Sequence, residues 1–146
     1  MTRGEYMHAT GVVWRNVGIL FIGEAASGKS TLAAELISRG ATFVGDDQLI
    51  LSEEDGKIFA DAPPSLAGVL ELRNVALVKI PAIARAQIHL VVDCGNHAIE
   101  PTNIEIAGIL LPRIALHAEH VGSAAKLILY AEALHEGRVL PEDWKP

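Results

Sequence analysis

Apolar and polar positions along the chain set out its first elements before any motif is considered. Val12-Val13-Trp14 and Ile19-Leu20-Phe21-Ile22 are apolar runs on either side of Arg15-Asn16-Val17-Gly18. Asn16 and Gly18 suit a tight turn, so the two runs are expected to pair as a hairpin. From Lys29 to Arg39 the residues Leu32, Ala33, Leu36 and Ile37 recur at helical spacing, and Gly40 is placed to end that helix in a left-handed conformation. The pattern predicts a strand, a loop and a helix in that order.

Short β-rich runs follow: "ATFVG", "QLILS", "GVLELRNVALVKI" and "QIHLVV", with "EEDG" and "APPS" as turn signals between them. They are too close together for a helix between each pair, so the later sheet is expected to be mixed or antiparallel rather than a regular βαβ repeat. "ILLPRIAL" reads as a buried strand, and Ser123 to His135 carries Leu127, Ile128, Ala131 and Leu134 on one stripe with Gly137 beyond it, a closing helix. The expected fold class is α/β, with flanking helices.

Composition narrows this picture. The 146 residues suffice for one domain, expected to span 1–146, and no repeat or flexible linker divides them. Half the residues are apolar and the net charge is −6, which argues against a disordered chain and against nucleic acid as a partner. Cys94 is the sole cysteine, so neither a disulfide framework nor a cysteine-rich zinc site is available. The first residues lack a signal-peptide core and no run reaches the roughly 20 apolar residues of a spanning helix. A cytoplasmic protein without membrane contact is the expectation.

The loop in the strand-loop-helix unit carries chemistry. Gly23, Gly28, Lys29 and Ser30 occupy the positions of G-x-x-x-x-G-K-[ST], with Glu24, Ala25, Ala26 and Ser27 between the glycines and Thr31 after the serine. Such a loop turns backbone N–H groups towards phosphates, and its lysine reaches the β- and γ-phosphates while its hydroxyl binds Mg²⁺. Residues 23–31 are therefore expected to bind ATP. Phosphoryl transfer also needs carboxylates, and two sets compete: Asp93 at the end of "HLVVD", in the manner of a Walker B aspartate, and the pair Asp46 and Asp47 in "FVGDDQ". Neighbours on a strand point to opposite sides, so the pair could serve one site only if the chain turns there, for which Gly45 is a candidate.

Three spacings bear on that choice. His8 precedes Gly23 by fifteen residues, Asp46 and Asp47 follow Ser30 by sixteen and seventeen, and "LELRNVAL" supplies Glu71 and Arg73. In these features the chain resembles the catalytic domain of the HPr kinase/phosphorylase family, bacterial enzymes that phosphorylate a serine of the phosphocarrier protein HPr and can remove that phosphate again. The resemblance runs on loosely through "GILLPRIAL" to the last helix. It implies a phosphate-loop fold and an ATP- and Mg²⁺-dependent protein serine kinase of the phosphotransferase system, with HPr as partner and substrate and a homo-oligomeric, hexameric assembly. It also implies a short form without the family's N-terminal domain.

By the same resemblance Asp46 accepts the serine proton, with His8 beside it; Lys29 and Arg73 act on the phosphates, and Ser30, Asp47 and Glu71 hold or support the metal. Asp93 is left without catalytic duty. Thr31 stands where the family commonly has glutamate, and Asn74 and Ala76 stand where it has glycines. "HVGSAAK" lacks the arginine linked to removal of the phosphate, so poor reversal is expected. Two other readings stay open: a small-molecule kinase, which calls for an arginine-rich lid the sequence does not display, and an ATP-sensing regulator, favoured by the substitutions around Asn74. His89, His97, His117, His120 and His135 show no metal-binding spacing, and Trp14 and Trp144 read as packing residues.

Overall fold

The computed structural model describes residues 4–95 and 100–146. In chain order its elements are β1 (Glu5–Met7), β2 (Ala9–Trp14), β3 (Val17–Ile22), α1 (Lys29–Ser38), β4 (Thr42–Gly45), β5 (Leu49–Glu54) and β6 (Lys57–Asp61). After a 3₁₀ turn at Pro64–Leu66 come β7 (Val69–Leu72), β8 (Ala76–Lys79), β9 (Arg85–Ile88), β10 (Leu90–Asp93), β11 (Thr102–Ile106), β12 (Ile109–Ala115) and α2 (Ser123–His135).

Six strands form a mixed sheet in the order β11-β12-β10-β3-β2-β4, in which β12, β10 and β3 run parallel and the other pairs antiparallel. An antiparallel sheet, β1-β5-β6-β9, forms a second layer, and β7-β8 is a separate hairpin. Strand β3 shows why its run is apolar throughout. Ile19 and Phe21 face one core with Leu32 and Leu36 of α1 and Leu127 of α2, while Leu20 faces another with Leu51, Ile58 and Ile88 of the second sheet. A strand covered on both faces cannot alternate with polar residues, and each of these fully buried side chains contributes about 1.5–3 kcal/mol.

The expected α/β architecture and mixed sheet are present, and Gly40 follows α1 at φ 112 as its position suggested. Details differ for physical reasons. The β2–β3 turn is made at Arg15 and Asn16, with Arg15 left-handed at φ 53. Gly18 is a strand residue, where a Cβ would lie 1.8 Å from the Gln87 carbonyl oxygen, so it permits β9 to cross β3 closely. "QIHLVV" is two strands in two sheets, divided at His89. Strands β1, β6 and β11 were not evident in the apolar pattern; they are short and half exposed.

His89 fixes that division. Its Nδ1 accepts the Gly18 N–H at 2.9 Å, and its backbone N–H donates to the Gly18 carbonyl at 2.8 Å. Burial, then repulsion from His135 and Lys57, push its pKa below the ordinary imidazole value. The fold therefore holds the ring neutral while the unfolded chain takes up the proton, so stability should fall as pH drops through about 6.5 and below. His89→Asn retains an acceptor and should flatten the acid side of a plot of melting temperature against pH; an unchanged slope would rule out this histidine as its source.

Candidate active site

Strand β3 delivers the chain into the loop at Gly23 (φ 141), and Gly28 (φ 97) starts α1. A Cβ at Gly23 would lie 2.6 Å from Ser27 Oγ, and one at Gly28 would lie 2.3 Å from the Ala118 side chain. Both motif glycines are thus required by φ and by space. Lys29 is only 6% exposed, and its ammonium donates to the Gly23 and Glu24 carbonyls at 2.8 and 3.0 Å. The cation lies within the loop at the amino end of a helix, where anions are favoured.

The two aspartates separate sharply. Asp46 is buried at 6% exposure; its Oδ1 accepts the hydroxyls of Thr10 and Ser30, each at 2.7 Å, and its Oδ2 accepts the Glu71 N–H at 3.1 Å. Asp47 has φ 71, and the Gln48 N–H donates to the Asp46 carbonyl at 2.8 Å. This is a γ-turn, a conformation that costs of order 1–3 kcal/mol outside glycine. It throws the Asp47 side chain outward, 77% exposed, with its carboxylate 3.2 Å from His8 Nε2.

Two expectations are corrected here. His8 meets Asp47 rather than Asp46, because the turn sends the two carboxylates to different surroundings. That turn is made by Asp47 itself. Gly45 lies in β4, where a Cβ would come 2.6 Å from Leu49 and 3.0 Å from Ala62, so it serves close packing.

The β7–β8 hairpin closes the other side. Glu71 and Arg73 are exposed on it and, with His8, Lys29, Ser30 and Asp47, line one cleft of about 310 Å³. Leu66, Val69 and Leu77 give this cleft an apolar wall. Asn74 is left-handed at φ 63, a conformation asparagine accepts more readily than most residues, so the hairpin keeps the turn a glycine would make. Ala76 opens β8 with no left-handed backbone to maintain.

Asp93 ends β10 opposite Ile22, buried, with Oδ1 accepting the Gly95 N–H at 2.9 Å. It lies beside the loop of residues 23–28, but the Ser30 hydroxyl bonds Asp46. Among the other histidines, the His117 and His120 rings stack at 4.2 Å, and His97 lies outside the described residues. Among the described residues no three His, Cys, Asp or Glu side chains form a metal-holding group. Thr10 escaped the sequence reading; its signal was a hydroxyl within an otherwise apolar strand.

Comparison with known proteins bears on this arrangement. The model of the HPr Serine kinase C-terminal domain matches residues 1–94. The HPr kinase/phosphorylase of Clostridium novyi is 37% identical over 93 residues, covering 59% of this chain and 30% of that protein. That of Clostridium tetani is 36% identical over 77 residues, 53% of this chain and 25% of that protein. The chain thus spans about a quarter to a third of the length of these curated relatives. The solved structure of the HPr(Ser) kinase/phosphatase from Coxiella burnetii superposes with a TM-score of 0.76 at 22% identity, covering 91% of this chain and 99% of that one, which shows a shared fold.

Proposed function

The chain belongs to the HPr serine kinase C-terminal domain family, and from that membership we propose that it transfers the γ-phosphate of ATP, with Mg²⁺, to a serine of the phosphocarrier protein HPr. The observation that carries this reading is that one cleft holds the phosphate-loop lysine, the Ser30–Asp46 pair and the exposed Asp47–His8 pair. The single domain 1–146, a cytoplasmic location and a homo-oligomeric, hexameric assembly belong to the same proposal by family likeness. Among the described residues no helix is long and apolar enough to cross a membrane.

In this mechanism the loop amides of residues 23–31 and Lys29 take the phosphates, and Arg73 steadies them from the hairpin. Ser30 and Glu71 offer oxygen donors to Mg²⁺, a cation that prefers hard oxygen ligands and keeps several waters. The Ser30 hydroxyl already points to a buried carboxylate, an arrangement that fits it. Bound Mg²⁺ supplies neutralisation of phosphate charge.

The aspartates take tasks opposite to those the resemblance implied. Asp46, enclosed by three donors, orients Ser30. Asp47 faces solvent in the cleft and accepts the proton of the incoming serine hydroxyl. The serine oxygen then bonds to the γ-phosphorus as the bridging bond to ADP breaks. His8 holds Asp47 in position. The left-handed Asn74 also weakens the ground for a purely ATP-sensing regulator, since Glu71 and Arg73 remain on an intact hairpin beside the loop.

Incubating the host's HPr with the protein and Mg-ATP should raise the intact mass of HPr by one phosphate. Serine-phosphorylated HPr with excess inorganic phosphate should revert more slowly, because Lys126 of α2 replaces no guanidinium fork. Binding of ATP with no mass change would instead support the regulator.

A further inference from the structure

The loop is a wall between two cavities. One is the cleft of Asp47 and His8. The other, of about 350 Å³, lies on the far side of residues 24–27; Ala25 and Ala26 border both. Its remaining rim comes from Cys94 and Gly95 after β10 and from His117, Ala118 and Glu119 after β12. These segments all follow the carboxyl ends of the parallel strands β3, β10 and β12. In open sheets with parallel strands, ligands favour the crevice at those ends.

The rim is held by backbone bonds, from the Cys94 N–H to the Ile22 carbonyl at 2.8 Å and from the Leu116 N–H to the Asp93 carbonyl at 3.1 Å. The Ser123 hydroxyl donates to the His117 carbonyl, and the His117 ring stacks on His120. A buried Ser27 hydroxyl, without a hydrogen-bond partner among the described residues, lies in the same wall.

The chemistry of this cavity differs from that of the cleft. Glu24 and Glu119 are exposed carboxylates in it, and among the described residues its border includes neither Lys29 nor any arginine. Phosphate is repelled there, whereas sugar hydroxyls and exocyclic amines find acceptors. An imidazole at the rim gives a flat surface for a base.

We propose that this cavity is the nucleoside subsite, with the sugar and base of the triphosphate held by Glu119, Glu24 and His117 while its phosphates cross the loop towards Asp47. The inference rests on the nucleotide reading above. The reacting end is committed to the cleft with Ser30 and Asp47, so the nucleoside leaves the loop on its other side, over the strand ends.

Calorimetric titrations with Mg-ATP and with inorganic tripolyphosphate separate the two claims. In the double variant His117→Ala/Glu119→Gln, ATP affinity should fall about tenfold through loss of stacking and a hydrogen bond, while tripolyphosphate affinity stays as in the unmodified protein. Both substituted side chains are exposed, and retained tripolyphosphate binding certifies the fold. Unchanged ATP affinity, or an equal loss for both ligands while circular dichroism is unaltered, overturns the subsite even if Lys29→Ala abolishes both. If the unmodified protein binds neither ligand, the nucleotide reading fails and the subsite with it.

Discussion

Asp47→Asn is expected to lower the rate of phosphoryl transfer by about 10²–10⁴-fold, the contribution of a positioned general base, while leaving nucleotide affinity intact. The expectation follows from position. Asp47 is exposed in the cleft on a γ-turn and pairs with His8; asparagine keeps its shape and its tolerance of the left-handed backbone but cannot take a proton. Asp46→Asn should behave differently. Its carboxylate satisfies Thr10, Ser30 and the Glu71 N–H. An amide nitrogen in place of one acceptor oxygen should cost about 1–3 kcal/mol of stability and weaken Mg-nucleotide binding through a misoriented Ser30.

Asp93→Asn should cost little transfer, because its Oδ1 caps Gly95 rather than facing Ser30. Single-turnover rates at saturating Mg-ATP rank the three. An active Asp47→Asn beside an inactive Asp46→Asn would return the base to Asp46.

The second large effect is on binding. Lys29→Ala removes a buried ammonium bound to two loop carbonyls, and with it the positive charge of residues 23–31. Charge-assisted contacts contribute about 1.5–3 kcal/mol each, so ATP affinity should fall by about 10–100-fold or more. Lys29→Met restores the apolar stem without the charge and should be as weak, which separates electrostatics from packing. Titration calorimetry with Mg-ATP is the measurement, with circular dichroism to certify the fold. Affinity equal to the unmodified protein's in a folded Lys29→Ala would remove the phosphate-loop assignment.

Much of this site was legible because its parts are local. Gly23, Gly28 and Lys29 act within a single strand-loop-helix unit, and their spacing is their geometry. The hairpin ahead of the loop, the helix ended near Gly40 and the final helix over Ser123–His135 follow likewise from short-range periodicity. Thr10 and Leu77 were not legible: buried Thr10 meets Asp46 through strand pairing, Leu77 lines the cleft through hairpin placement, and nothing in their local pattern says so.

The sequence by itself determined which residues could bear chemistry, the order of the early elements, and a mixed α/β sheet without room for helices between its later strands. Only the tertiary structure decided how the aspartates divide. Asp46 finds Thr10, Ser30 and Glu71 from three separate elements, and Asp47 turns away through a left-handed conformation that aspartate tolerates without announcing. The same holds for "QIHLVV", one apolar run that feeds two sheets because Gly18 lets β9 pass within reach of β3 and His89 bonds across the crossing. Periodicity records what each residue prefers along the chain; which face a side chain meets depends on partners distant in sequence, and no local pattern carries that energy.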